Sequence, residues 1–288
     1  MAGSASPSKP EPDRRTPRLL TVRRAFRLTP NMIRVTLAGP ELEGIPAGRE
    51  GANCKLLFPA PGQGREAFAS QLSEGPRPTI RTYTVRHFRE DALELDIDFA
   101  LHEGEGPATA WARAAAPGGF CGFAGPSQAK VSEFLADWYL VAGDMSALPV
   151  AAATLEAMPR DAKGMAIFEI TSAADRQDIA APKGVQIHWS LHPDPKVPSG
   201  AQEAFVRALD WPEGRVQTCI AGESGVIKAL RAFLHKEKAL PREDTYISGY
   251  WKIGLIEDEH QKIKRLEVAS WRPVAIPIDR SDSPCLGQ

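Results

Sequence analysis

No apolar run in this sequence approaches the ~18 residues that a membrane-spanning helix needs, which excludes insertion into a bilayer through helices. Cysteine is scarce: Cys54, Cys121, Cys219 and Cys285 stand without C-x-x-C spacing, so neither a zinc site nor an iron–sulfur cluster is encoded. They are expected as reduced thiols of a cytoplasmic protein. Net charge is equally small, and a balance of −1 argues against a nucleic-acid partner held by bulk electrostatics. Any anionic partner must therefore be met locally. Ser-His-Asp, H-E-x-x-H, Walker and G-x-G-x-x-G patterns are all missing, so hydrolase, metalloprotease and P-loop chemistry find no support.

What is present divides into two grammars, and 288 residues are enough for two domains with cores of their own. Residues 1–17 are rich in Pro, Ser and charge but lack the apolar centre of a secretory signal, which predicts a disordered tail retained in the cytoplasm. Residues 18–130 alternate. In LELDIDFALH, Leu93, Leu95, Ile97, Phe99 and Leu101 share one face while Glu94, Asp96, Asp98 and His102 share the other. Further strands are predicted at LLTVRRAFRLT, NMIRVTLAG and NCKLLFPA, a density that implies an antiparallel β barrel. From 136 to 270 the pattern becomes apolar strands (WYLVAGD, MAIFEITS, VQIHWS, VQTCIAGE, DTYISGY) alternating with helices such as SALPVAAATLEA and SGVIKALRAFLHK. That is the grammar of an α/β domain with a parallel, doubly wound sheet. The boundary is placed within Pro126 to Asp137, and residues 271–288 are expected to be extended or disordered.

Three stretches could carry chemistry. In RTYTVR, strand alternation sets Arg81 and Tyr83 on one face and Thr82 and Thr84 on the other, an anion clamp beside a flat apolar ring. In HEGEGPATAWARAA, glycines run into Pro107 at a helix start, where unpaired backbone N–H groups can meet phosphate. Each stretch alone also has a plain reading, as surface strand or ordinary helix start. Together they suit the pyrophosphate of a dinucleotide. The third comprises VAGDMSALP and IAGESGV, strand-to-helix turns at which an α/β sheet places nucleotides. Ser146 would open one helix and Ser224 cap the other, although either could be only a tight turn.

RTYTVR, DIDFALHEGEGPATAWA, GDMSALPVAAA, AGESGVIKALR and GYWKIG occur in the order seen in siderophore-interacting proteins, so residues 18–268 resemble that family of flavin-dependent ferric-chelate reductases. The resemblance implies a ferredoxin–NADP reductase-like fold, with a flavin-binding barrel followed by a nicotinamide-nucleotide domain. It implies tightly but non-covalently held FAD at Arg81, Thr82, Tyr83, Thr84, Asp98, His102, Gly106, Pro107, Ala108 and Thr109, with Tyr83 packed on the isoalloxazine. A nicotinamide site would use Gly143, Asp144, Ser146, Ala147, Leu148, Pro149, Gly222 and Glu223, and Arg176 could meet the 2′-phosphate of NADPH. Lys55 and Lys252 stand where relatives receive anionic ferric siderophores. The arginine some relatives carry in the GPSQ region is missing, with Lys130 as a weak substitute.

The implied activity is reduction of Fe(III)-siderophore to Fe(II) with release of iron, using NADH, NADPH or ferredoxin; the long ending with Ile256, Ile263 and Leu266 on one stripe, a predicted helix, resembles the subgroup associated with NADH or ferredoxin. No catalytic side chain beyond the flavin and no resident metal are required. Two rival readings keep the same fold. One is a flavoprotein that stores ferric siderophore without turnover. The other is a general reductase of quinones or free flavin, for which Lys55 and Lys252 would have no purpose.

Overall fold

The computed structural model describes residues 17–101, 106–255 and 259. Two compact units are present, through Gly254 and from Leu255, and every element named below belongs to the first. His102 and the helix expected around Ile256, Ile263 and Leu266 lie outside the described residues, as do both expected tails apart from Pro17.

Six strands close an antiparallel barrel: β1 (Arg18–Thr29), β2 (Met32–Ala38), β3 (Asn53–Phe58), β4 (Thr79–Arg89), β5 (Glu94–Ala100) and β6 (Phe120–Ala124), in the order β1-β2-β5-β4-β3-β6. Leu20, Val35, Leu56, Ile97 and Phe123 fill its interior, the inward-facing half of each alternating strand. Helix α1 (Arg65–Glu74) joins β3 to β4, and α2 (Pro107–Ala114) joins β5 to β6. The first of these escapes sequence reading because it buries only Phe68 and shows no apolar stripe.

The second layer is a parallel sheet of β7 (Trp138–Gly143), β8 (Lys163–Ile170), β9 (Gly184–Leu191), β10 (Val216–Glu223) and β11 (Thr245–Trp251), ordered β11-β10-β7-β8-β9. Helices α3 (Leu148–Ala157), α4 (Ala201–Arg207) and α5 (Ser224–Ala232) connect its strands, while β8 reaches β9 through a short turn at Ala173–Asp175. The order reverses between β7 and β10. Their carboxyl ends flank the crevice where sheets of this kind bind ligands. Helix α3 is apolar all round because it is covered all round: Leu148 to Leu155 are buried between the sheet and the barrel.

Polar residues with distant partners lock the two layers. Arg86 of β4 forks onto Glu156 of α3 at 2.6 and 2.7 Å. Asp175, fully buried, accepts from the Thr29 hydroxyl at 2.7 Å and from the Asn31 backbone and side-chain nitrogens at 2.9 and 2.8 Å, while Met32 enters the sheet's apolar core. Burial opposes ionisation of Asp175, but the hydrogen bonds from Asn31 and Thr29 outweigh it and hold the carboxyl below the ordinary range. The outer face of β5 departs from the half-buried pattern for a related reason. Asp96 and Asp98 are buried as well, under the guanidinium groups of Arg89 and Arg34.

Candidate functional site

β4 sets the clamp as alternation predicts. Arg81 and Tyr83 lie opposite Leu56 and Cys54 of β3, while Thr82 and Thr84 lie opposite Lys55 and Asn53. Tyr83 packs on Phe99 with ring centroids 4.4 Å apart. Phe99 packs in turn on Trp111 of α2 at 5.8 Å, and Trp111 on Phe58 at 5.3 Å. One aromatic cluster thus ties the clamp strand to the helix start predicted to hold phosphate. At that start Gly106 is the N-cap, with no side-chain cap, and Pro107 is the first helical residue. The N–H groups of Ala108 and Thr109 have no partner within the helix. A Cβ on Gly106 would meet nothing within 4 Å among the described residues. A guanidinium, an aromatic platform and an uncapped helix start make a donor set that fits FAD.

Asp98 is not brought to this cluster. Both of its oxygens are taken by Arg34, at 2.6 and 2.8 Å, on the barrel's outer face. Burial pushes the thiols of Cys54 up to about 12 and of Cys219 up to about 11, so both stay protonated at neutral pH.

The predicted lysines gather around the same strand by register. Lys55 Nζ hydrogen-bonds the Thr82 hydroxyl. Asn53, two residues earlier on the same face, exchanges backbone contacts with Ser127, whose hydroxyl is 3.4 Å from Lys130 Nζ. From the sheet side, the Tyr250 hydroxyl shares a hydrogen bond with Thr84 and lies 3.0 Å from the Tyr246 hydroxyl. Lys252, exposed, follows two residues later. Thr84 is therefore the point at which both layers and the lysine-bearing segments meet. Tyr250 was missed in the sequence because its adjacent aromatics read equally as an apolar anchor.

The crevice of the sheet looks different. Asp144, at the end of β7, accepts from the Ser146 nitrogen (2.9 Å) and hydroxyl (2.6 Å), the Glu223 nitrogen (2.8 Å) and Trp251 Nε1 (2.7 Å), joining the ends of β7, β10 and β11. Burial pushes its carboxyl above the usual carboxylate range, against these hydrogen bonds. Gly222 makes the room: its φ is +144°, and a Cβ there would stand 2.7 Å from Asp144 Oδ2. Gly143 is buried with its Cα against Ala147, and Ala147, Leu148 and Pro149 are core residues. The expectation that Ser224 caps α5 is overturned. Glu223 is the N-cap, its carboxylate accepting from the Gly225 and Val226 nitrogens at 2.5 and 3.1 Å, while the Ser224 hydroxyl donates to the Trp251 carbonyl at 2.8 Å. Arg176, after β8, is exposed.

Residues 21–130 match the siderophore-interacting FAD-binding domain, and residues 136–254 match the siderophore-interacting protein domain. The chain belongs to the siderophore-interacting protein family. Its relatives include the ferric vibriobactin reductase ViuB of Vibrio cholerae, 35% identical over 262 residues that span 88% of this chain and 95% of that one. The NADPH-dependent ferric-chelate reductase of Escherichia coli is 30% identical over 244 residues, 81% and 92% of the two chains. Among solved structures, the siderophore-interacting protein SipS from Aeromonas hydrophila superposes with a TM-score of 0.77 at 33% identity, over 89% of this chain and 99% of that one. The ferredoxin-NADP+ reductase of Plasmodium falciparum, at TM-score 0.58 and 10% identity over 81% and 96%, shows the fold alone. Barrel followed by parallel sheet is thus the ferredoxin-reductase-like arrangement expected of the sequence.

Proposed function

We propose that this protein is an FAD-dependent reductase of ferric siderophores. The observation that carries the reading is that one strand serves both tasks: β4 carries Arg81 and Tyr83 on one face, and on the other Thr82 and Thr84, which meet Lys55 and, two residues before Lys252, Tyr250. Arg81 and the Ala108 and Thr109 nitrogens would hold the pyrophosphate, Tyr83 would face the isoalloxazine, and Thr84 would sit at its reactive edge. The chemistry supplied by bound FAD is the conversion of a two-electron donor's equivalents into single electrons for Fe(III). One hydride equivalent then reduces two Fe(III) chelates to Fe(II) and leaves one proton. Hard oxygen donors bind Fe(II) less tightly than Fe(III), so reduction frees the metal. The lysines attract the anionic chelate and hold it at the open edge.

The nicotinamide nucleotide of the donor would enter the crevice between β7 and β10, beside Asp144 and Ser146, with Arg176 available to a 2′-phosphate. The NADPH dependence of the E. coli relative supports a nicotinamide donor. A second reading, reduced ferredoxin as donor, is favoured by one observation: the α5 helix start is already filled by the Glu223 carboxylate and has little to offer a pyrophosphate. Both readings separate in one anaerobic experiment. FAD-loaded protein is mixed in turn with NADH, NADPH and reduced ferredoxin, and a ferric siderophore follows. Bleaching of the flavin band by a donor and its return on adding the chelate, with Fe(II) trapped by a ferrous indicator, is the expected outcome. A flavin that no donor bleaches, in a protein that still binds the chelate, would instead support a storage role.

A further inference from the structure

Several arginines of this protein are matched to carboxylates. Arg34 pairs with Asp98, Arg86 with Glu156, Arg89 with Asp96, Arg207 with Glu237 and Arg215 with Asp244. Arg49, in the loop before β3, is different. Its Nη1 donates to the Ser127 carbonyl at 3.3 Å, its Nε is buried without a partner, and among the described residues no carboxylate lies within ion-pair distance. The adjacent Glu50 is turned away, accepting instead from the Phe88 nitrogen at 3.1 Å. A guanidinium with an accessible nitrogen and no counter-ion is a ready donor to an arriving anion.

The surroundings say which anion. Ser127 also receives Lys130 Nζ on its hydroxyl, at 3.4 Å, and the same hydroxyl accepts from the Asn53 nitrogen at 3.2 Å. Asn53 leads by strand alternation to Lys55. Two cations therefore meet on Ser127 and a third follows on the strand beside it. Three positive groups so placed suit a chelate of multiple negative charge better than a single phosphate.

We infer that Arg49 is a specificity-determining residue of the chelate site, whose planar guanidinium donates hydrogen bonds to the oxygen atoms of an anionic ferric catecholate-type complex. The inference rests on the reductase reading above. In the absence of the chelate, Ser127 holds the guanidinium in place through Nη1 and leaves Nη2 to the ligand.

The test uses the FAD-loaded full chain as wild type, Arg49→Gln, Arg49→Lys and Lys55→Ala. Each is titrated by fluorescence quenching with the Fe(III) complex of a synthetic tripodal tricatecholate, charge −3, and with neutral tris(acetohydroxamato)iron(III). Arg49→Gln is expected to weaken the anionic complex about tenfold, the loss of one charge-assisted hydrogen bond, with the neutral complex within about twofold and FAD occupancy unchanged. Arg49→Lys keeps the charge without the fork and should lose about threefold on the anionic complex alone; it carries the test if the Gln variant does not fold. If Lys55→Ala weakens the anionic complex while neither Arg49 variant does, the role of Arg49 is refuted and the reductase reading stands. If none of the variants discriminates between the two complexes, the cationic chelate site itself falls, and the reading with it. Loss of FAD from an Arg49 variant would overturn the inference by assigning Arg49 to the cofactor.

Discussion

The starts of α2 and α5 are both strand-to-helix turns rich in glycine, and they have been finished in opposite ways. At α2, Gly106 and Pro107 leave the first N–H groups without a side-chain cap among the described residues. At α5, Glu223 folds its own carboxylate onto the equivalent groups, and Asp144 secures the adjoining strand ends. A helix start attracts negative charge whichever molecule supplies it. The barrel leaves that place to a ligand, while the sheet fills it with a side chain. On the proposed function, this contrast is what a tightly held cofactor at the barrel and an exchangeable donor at the sheet would require.

The contrast breaks most visibly if the barrel turn is given the finish of the sheet turn. Gly106→Asp introduces a carboxylate at an N-cap with ordinary φ of −71° and nothing within 4 Å of its Cβ among the described residues, so the helix itself should be unharmed or slightly steadier. FAD should suffer, because the new carboxylate takes the N–H groups and repels the pyrophosphate. A loss of at least thirtyfold in FAD affinity is expected, about 2 kcal/mol, measured by titrating apoprotein and following flavin fluorescence. Unchanged FAD affinity would show that the α2 turn is an ordinary helix start.

The converse change sharpens the comparison at smaller cost. Glu223→Gln keeps the length of the side chain but weakens the cap, so the unfolding midpoint should fall by about 2–4 °C for a loss near 1 kcal/mol. The freed charge should lower the KM for NADPH several-fold if the nucleotide enters this crevice. A fall in stability with no effect on the nucleotide, and full activity with ferredoxin, would move the donor away from the sheet.

How much of this was legible before the structure depends on the range of the interaction. Tyr83 and Arg81 sharing a strand face, and Pro107 opening a helix, follow from two- and three-residue rules, and they stand where those rules put them. Ser224 misled because serine is the ordinary cap, whereas Glu223 caps only where its backbone leaves the strand at Gly222 with positive φ. Arg86 with Glu156, 70 residues apart, and Asn31 with Asp175, 144 apart, obey no local spacing at all. Asp98 read as a free polar face because alternation says which way a residue points and nothing about what covers it. Arg49 was invisible for a similar reason: a loop arginine becomes unusual only when its missing counter-ion can be seen.

Both helix starts serve one reaction only while barrel and sheet stay joined, and acid tests that join. The Asp175 carboxyl has a folded pKa below its unfolded value of ~3.9, so its contribution is complete above that value and is lost as pH falls through the depressed one. Asp96, held low by Arg89, His87 and Thr36 against its own burial, acts in the same direction within the barrel. The unfolding midpoint should thus decline below about pH 4, while Asp144, its carboxyl raised by burial, acts in the opposite direction and gains stability as pH falls through its folded value. Asp175→Asn keeps the shape and removes the titration. It should start a few degrees lower at neutral pH and lose less on acidification than the parent, since the parent alone gives up this carboxylate. Equal slopes in scanning calorimetry would place the acid-sensitive contacts inside the barrel, at Asp96, and leave the union of the two layers to Met32 and the apolar faces around it.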